Sequence, residues 1–493
     1  MPHEVDVLVV GCGNAALCSA LAAHQAGATV MTLEKSPRDK RGGNGIFTGG
    51  LVRFAYGDID GVRTVVDMTD EEANRYDVGT YTSDDFFEDV ASLGGYRADP
   101  DLLDTLTSSS LETMQWLRSL GVPFAPSLGL HAFQDGDKIV FRGNAPVEVS
   151  GGGLGLVEHL AKTAEAAGIQ MEYDARATAL TRSGERWDVT YRQAGIEHTV
   201  SAGAVVLASG GFEANRRMRA QYLGPGWDLA KVRGSEFNTG DGHRLAESVG
   251  AAMAGHWSGC HATPWDAEAP MTGDRKLLHA FTRHSYIFGV MVNAEGVRFV
   301  DEGQDLETHT YAKFGREILA QPGAIAYQIF DADGFGRLRN EYASRGTTHI
   351  EAPTLPELAT KLGLGDRMVD TIEEYNAATD SSLEFDAGKK DGKSTRGLPL
   401  PKSNWATPVV KGPFHAYPVT CGITFTYGGL KVDAGANVID EYGDQINGLF
   451  AAGEILGGLF YHNYPTATGI TTGAVFGKTA GTHAADRAST HRA

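Results

Sequence analysis

Residues 5–34 read "VDVLVVGCGNAALCSALAAHQAGATVMTLE", and their reading decides the fold. Residues 5–10 are a short, continuous β-branched run of the kind buried in parallel sheets, where both faces are covered. The run enters the turn Gly11-x-Gly13-x-x-Ala16 and then an alanine-rich stretch with helical spacing; residues 29–34 form a second strand ending at Glu34. Such a βαβ unit carries a dinucleotide fingerprint. The first glycine makes the turn, the second lets the backbone approach a pyrophosphate, and the third small residue lets helix and strand pack. The acidic side chain accepts from a ribose 2′-hydroxyl, and the helix N-terminus offers amides to the phosphates.

Two further strands end in small residues: "GAVVLASGGFEAN" at 203–215 and "INGLFAAGEILGG" at 446–458. They are far from residue 10 and from each other, which predicts one cofactor domain assembled from distant pieces. A glycine-rich loop, "RGGNGIFTGG" at 41–50, follows the first unit and holds five glycines. Glycine is costly to order unless the backbone must turn sharply or approach something closely. Between about 258 and 412 the character changes, with "MVNAEGVRFVDE", the helix-like "TLPELATKL" and "MVDTIEEYNAAT", and the polar loop "DAGKKDGKSTRG". This predicts an inserted second domain with hinges near Gly259 and Gly412: residues 1–257 and 413–493 form one domain and 258–412 the other.

A chain of 493 residues is past the size at which one core stops growing, so two domains fit its length. With 42% hydrophobic residues, 21% charged residues and 63 glycines it reads as an α/β protein with many close backbone approaches. A formal charge of -19 argues against nucleic acid or an anionic membrane surface as a main partner. Cys12, Cys18, Cys260 and Cys421 show no ligand spacing, so no disulfide framework, metal or iron–sulfur cluster is expected, and a reducing cytoplasm fits. The start "MPHEVDVLVV" lacks a basic leader, and no apolar run approaches a membrane span, so neither a secretory signal nor a transmembrane segment is expected.

The stretches "DVLVVGCGNAALCSALAAHQAGATVMTLEKSP", "RGGN", "VVLASGGFEAN", "VMVNAEGVRFVDE", "ITFTYGGLKVD" and "GLFAAGEILGG", in this order, resemble the fumarate reductase and succinate dehydrogenase flavoprotein family over nearly the whole chain. Within it, "VGCGNAAL", "RGGN", "FNTGDG" and "GITFTYGGLKVD" most resemble FAD-dependent tricarballylate dehydrogenases. The resemblance implies a discontinuous, Rossmann-like FAD-binding domain (GR2-type) with an inserted α+β capping domain, and substrate held between them against the flavin ring. It places Gly11, Gly13, Asn14 and Ala15 at the pyrophosphate, Glu34 and Lys35 at the adenosine ribose, and Ala177 against the adenine. Gly42, Gly43, Asn44 and Gly45 lie beside the flavin. Ala208, Ser209 and Gly210 fall near the ribityl and phosphate region, Asp241 near the flavin, Gly453 and Glu454 at the ribityl chain, and Gly469 and Ile470 at the pyrimidine end of the ring. Relatives with covalently attached flavin carry a histidine where Gly42, Gly43 and Asn44 stand, so a noncovalent FAD is expected.

Oxidising a saturated bond next to a carbonyl needs a hydride acceptor, a base for the α-proton and groups that hold the incipient enolate. Fumarate reductases use an arginine as proton donor after the "RF" of the cap; here "RFVDEGQDLETHTYAKFG" has Thr310 and Tyr311 in that region. Tyr311 resembles instead the base of 3-ketosteroid dehydrogenases, with His309 as the alternative. Tyr464 in "HNYPTATGITTGAVFGKTAG" resembles the ketone-polarising tyrosine of those enzymes, with Thr468 in place of a glycine, and Phe425 replaces a fumarate reductase histidine. His261 in "GCHATPWD" matches the family's substrate-binding histidine; Arg283, Arg53 and Arg142 are the candidate cations for a substrate carboxylate.

The expected activity is that of a FAD-dependent dehydrogenase forming a C=C bond α,β to a carboxylate or ketone of a small substrate. A tricarballylate-like acid is the first class and a cyclic ketone the second; an ene reductase or a non-catalytic flavoprotein is a weaker alternative. With no second dinucleotide fingerprint, haem motif or iron–sulfur motif, electrons would leave through a quinone, a partner protein or oxygen.

Overall fold

The computed structural model describes residues 3–129, 132–141, 144–380 and 382–490. The chain divides into two compact units: Met1–Leu223, Gly234–Cys260 and Phe425–Ala493 form the first, and Gly224–Arg233 with His261–Thr424 the second. Against the expected divisions after residues 257 and 412, these fall after 260 and 424, and a short segment at 224–233 joins the second unit. The difference has a local cause. Residues Met253–Asp266 and Phe414–Leu430 are continuous strands; Gly259 lies inside the first and Gly412 just before the second.

In the first unit, strand β1 (His3–Val10) leads through the glycine turn into helix α1 (Asn14–Gln25) and strand β2 (Val30–Leu33). β1 and β2 pair in parallel, with Val7 opposite Val30 and Val10 opposite Leu33. On its other side β1 runs parallel to Ile196–Leu207, with Val9 opposite Val206, and that strand runs parallel to Gln445–Ala451 at Val205 and Leu449. Residues 5–10 are all buried, as a two-sided parallel strand requires. The distant pieces thus meet in one sheet, whose order continues outward through Gln170–Glu172 beyond β2 and through Arg186–Gln193 and Arg176–Ser183 beyond Ile196–Leu207.

Helix α1 is buried from Ala16 to Ala23, its alanines offering little bulk. The long helix Thr468–Ser489 packs against it. A Cβ on Gly481 would lie 2.1 Å from the Ser19 carbonyl oxygen, so this helix pair can approach only without a side chain there.

In the second unit, Phe414–Leu430 is flanked on both sides: Ala416 faces Ile329 of the antiparallel strand Ala326–Phe330 and Ile350 of Ile350–Ala352. Val290–Asn293 extends the sheet from Ala326–Phe330. Helices Leu355–Leu362 and Gly365–Ala378 cover it, with Leu358, Met368, Ile372 and Tyr375 packed on Val290, Val292, Ile329 and Ala416. Thr354 caps the first of them by accepting from the Glu357 N–H at 3.3 Å. Both helices fall where "TLPELATKL" and "MVDTIEEYNAAT" place them, and the unit is α+β.

Gly481→Ala separates packing from propensity. Alanine favours a helix interior by about 1 kcal/mol over glycine, whereas forcing a Cβ against a backbone oxygen costs about 1–3 kcal/mol. The variant is expected to unfold at lower temperature and denaturant concentration than the parent; a rise in either midpoint would show that the helix contact is not what Gly481 serves.

Candidate functional site

The ends of the parallel strands in the first unit carry the glycine turn. Gly11 has φ +124°, and a Cβ on it would lie 2.4 Å from the Ala208 carbonyl oxygen. The backbone of Ala208 donates to the Val10 carbonyl at 2.9 Å, so the ends of β1 and Ile196–Leu207 are held together where the turn begins. Gly13 precedes α1 and no side chain caps that helix; Ala467 precedes Thr468–Ser489 at φ +73°, also without a side-chain cap. Asn14 donates from its amide to the Ile470 carbonyl at 2.9 Å, which ties the two helix starts together. The loop at Gly42, Gly43 and Gly45 lies against this turn, with the Gly42 carbonyl 3.4 Å from where a Gly13 Cβ would stand. Gly42 and Gly43 have φ +110° and +54°.

Gly210 (φ +73°) follows Ser209, whose buried hydroxyl meets no hydrogen-bond partner among the described residues. Gly453 reaches α1, a Cβ on it falling 2.7 Å from that of Ala15. Two uncapped helix starts, a bare-backbone cradle and an orphaned hydroxyl fit an elongated anionic dinucleotide such as FAD.

Glu34, Lys35, Ala177 and Asp241 group at the other end. Burial pushes the Glu34 carboxyl up, opposed by the Ser36 backbone N–H, which donates to it at 2.7 Å. A buried carboxylate with remaining acceptor capacity suits a ribose hydroxyl. Asp241 accepts from Lys35 at 2.8 Å and from Arg176 at 2.8 Å, and also from Arg244. Asp241, expected near the flavin, sits with Lys35 and beside the strand that carries Ala177, and three cations neutralise it there.

Tyr464 packs edge-on against Phe425 and Phe460, with ring centroids 5.0 and 5.1 Å away. Its hydroxyl oxygen accepts the Gly469 N–H at 2.5 Å, so the hydroxyl proton points elsewhere. Thr468 donates to the Pro465 carbonyl at 3.0 Å. Arg53 is buried with Asp89 at 2.8 Å, and it also donates to the Tyr81 hydroxyl and the Thr466 carbonyl.

In the second unit the helix Glu307–Leu319 buries Thr310, Tyr311, Phe314, Gly315 and Ile318 along one face. A Cβ on Gly315 would lie 2.6 Å from the Ala262 carbonyl carbon, so glycine lets the helix lie against the strand that carries His261. One turn earlier, Tyr311 meets His261 edge-on and His284 at a tilt, both with ring centroids 5.0 Å away. Burial, then the Arg233 charge, holds His261 well below the ordinary histidine range. Burial does the same to His284, followed by the charges of Arg339 and Arg233. Both rings are therefore neutral near pH 7.

His284 Nδ1 lies 3.4 Å from Glu307, which Arg339 grips through two guanidinium nitrogens at 2.7 and 3.3 Å. His284 Nε2 is buried and meets no partner among the described residues. Arg283 is fully buried with Asp266 at 2.7 Å, and it also donates to the Thr282 carbonyl. His309 lies 3.7 Å from Asp305 near the helix start. Arg142 lies outside the described residues. Sequence reasoning did not single out His284, Glu307, Arg339 or Arg233.

It also missed a carboxyl pair in the first unit. Asn44 and Asn238 donate to one oxygen of Glu213 at 2.5 and 2.6 Å; Glu454 accepts the Thr426 N–H at 3.0 Å and lies 3.4 Å from the Asn238 amide. Burial, then the Glu454 charge, raises Glu213 well above the carboxylate range, and burial raises Glu454 to about 7. The two titrate as a pair that retains a proton near neutrality. A folded-state pKa above the unfolded value means the folded protein binds the extra proton. The pair's contribution to stability is therefore fully present below the ordinary carboxylate value near 4.5 and is lost as pH rises toward 7. Glu454→Gln, measured in flavin-free protein by denaturant unfolding, is expected to flatten this fall, whose slope is at most about 1.4 kcal/mol per pH unit for one proton. An unchanged slope would mean the pair does not share a proton.

A family model described as FAD binding domain matches residues 6–470. The probable fumarate reductase Ifc3 of Shewanella frigidimarina is 29% identical over 99% of this chain and 76% of its own length. The 4-oxocyclohexanecarboxylate 2-dehydrogenase of Sinomonas cyclohexanicum is 27% identical over 95% of this chain and 90% of its own. The chain spans about half the length of two other relatives, 50% and 48%. The open conformation of a flavocytochrome c3 fumarate reductase superposes with a TM-score of 0.75 at 26% identity, covering 99% of this chain and 79% of that one. A 3-ketosteroid dehydrogenase from Rhodococcus jostii shares the fold, with a TM-score of 0.70 at 24% identity, covering 98% of this chain and 97% of that one. No helix among the described residues is long and apolar enough to cross a membrane. The chain belongs to the FAD binding domain family, with the fumarate reductase and succinate dehydrogenase flavoproteins, and is a FAD-dependent oxidoreductase.

Proposed function

We propose that this flavoenzyme is a dehydrogenase that forms a carbon–carbon double bond α,β to a carbonyl in a small substrate that also carries a carboxylate. Tricarballylate-like acids and ring keto acids both meet that description, and a relative of the second kind is the 4-oxocyclohexanecarboxylate dehydrogenase. The observation that supports it is the contact of Tyr311 with His261 and His284, which brings a phenol and two imidazoles together on the buried face of one helix.

In this reading Gly11, Gly13, Gly42 and Gly43 would hold FAD against bare backbone, and the flavin would supply the hydride acceptor for the β-carbon. Tyr311, as the phenolate, removes the α-proton, with His284 beside its ring and Glu307 next to that imidazole. His261, beside Tyr311, holds the carbonyl oxygen as a donor while negative charge develops on it, and Tyr464 is the candidate donor that the first unit offers. Arg53 and Arg283 already pair with Asp89 and Asp266; recruiting Arg283 would strand a fully buried carboxylate, and recruiting Arg53 would break its bonds to Asp89, Tyr81 and Thr466. Arg233, whose charge acts on both histidines, is a further candidate cation in the second unit for the substrate carboxylate. The flavin is held without a covalent bond, electrons pass on to a quinone, a partner protein or oxygen, and the setting is cytoplasmic. Fumarate reduction is the second reading, favoured by the reductase names of relatives and opposed by Thr310 and Tyr311 where an arginine was sought.

The test is anaerobic mixing of the oxidised flavoprotein with tricarballylate, 4-oxocyclohexanecarboxylate, succinate and cyclohexanone. At least one of the first two is expected to bleach the flavin at about 10-fold or more lower concentration than cyclohexanone, the effect of a charge-assisted contact worth about 1.5–3 kcal/mol. Acid precipitation should release all the flavin. Bleaching by cyclohexanone alone would sink the carboxylate requirement, and rapid fumarate turnover with a reduced dye and no bleaching by the panel would reverse the direction.

A further inference from the structure

The second unit carries a side-chain cluster at its sheet edge that the proposed chemistry does not use. Glu351 and His415 are directly opposite each other on antiparallel strands. His349 lies just before the strand Ile350–Ala352, two residues ahead of Glu351. His349 Nε2 lies 3.0 Å from His415 Nδ1, and that nitrogen lies 3.5 Å from Glu351 Oε2. The three donor atoms all fall within 4.8 Å of one another.

A tetrahedral ion with bonds of about 2.0–2.2 Å sets its donor atoms about 3.3–3.6 Å apart. The His415–Glu351 separation falls within that range and the His349–His415 separation lies about 0.3 Å below it. The third closes by rotation of Glu351, whose side chain is 56% exposed. The rings are fixed by stacking. Phe335 covers His415 with centroids 3.8 Å apart and an interplanar angle of 16°, and Tyr417 stacks on His349 at 4.8 Å and 17°. Ligands locked by packing lose little freedom when an ion binds.

We propose that His349, Glu351 and His415 form a binding site for a divalent transition metal, with water completing the tetrahedron. Two imidazoles and one carboxylate suit zinc, or copper and nickel, and are a poor set for calcium or magnesium, which take oxygen ligands. The site joins Ile350–Ala352 to the strand beside it, so an ion there stabilises the second unit by mass action.

The test uses the complete holoprotein, stripped with chelator and dialysed, and titrated with zinc chloride by calorimetry and by thermal unfolding. One equivalent is expected to bind at micromolar or lower concentration and to raise the unfolding midpoint, while magnesium does neither. Both exposed ligands can be changed without touching buried His415: His349→Gln and Glu351→Gln should each weaken zinc binding by about 10-fold or more and abolish the shift in midpoint, with flavin content unchanged. Zinc bound equally well by both variants would be an adventitious ion only and would overturn the proposal, as would the absence of binding or an equal response to magnesium.

Discussion

The fold of the first unit hangs on the close approach of two parallel strand ends. Ala208 bonds to Val10 across the pair, and Gly11 turns away with no side chain to strike the Ala208 carbonyl. Because the chain must turn there, α1 begins at once, with its first amides uncapped. Because Gly481 bears no side chain, the second long helix can lie on α1 and bring its own uncapped start beside the same turn. The electrostatics follow from this geometry: two helix starts, each with partial positive charge, converge on a cradle of bare backbone. An anionic dinucleotide completes it.

Burial sets the protonation of the polar groups in both units. It raises Glu213 and Glu454, so that a proton stays within the pair, and it lowers His261 and His284, so that both rings are neutral. These shifts have opposite sign because the charged form of each group is the one that desolvation disfavours. The paired arginines follow another rule. Arg53 and Arg283 each face a carboxylate, at 2.8 and 2.7 Å, so both are engaged within the fold.

What could be read from the sequence was local. The βαβ unit shows in thirty consecutive residues because strand, turn and helix each leave their own spacing, and the cap helices show in the Thr354 cap and the apolar face at Met368, Ile372 and Tyr375. Glu213 had a signal that went unused, an acid set within the glycine turn "GGFEAN". The Tyr311 cluster was half legible: Tyr311 and His261 came from motif position, but His284, Glu307 and Arg339 have no common spacing and meet only through tertiary packing. The His349, Glu351 and His415 cluster is hidden for the same reason, since strand pairing aligns residues that no sequence motif joins. The ion pairs of Asp241 were not legible, since its partners Lys35 and Arg176 come from other elements.

The central claim is that Tyr311 takes the proton from the substrate, and the most direct measurement is the rate of anaerobic flavin reduction by a bleaching substrate in Tyr311→Phe against the parent, followed over pH. Losing a general base costs about 100-fold or more, so a drop of that size is expected with FAD content and substrate affinity largely kept, and with the alkaline rise of a tyrosine base gone from the pH profile. A variant that reduces its flavin at the parental rate with the parental pH profile would contradict the account and move the base to another residue.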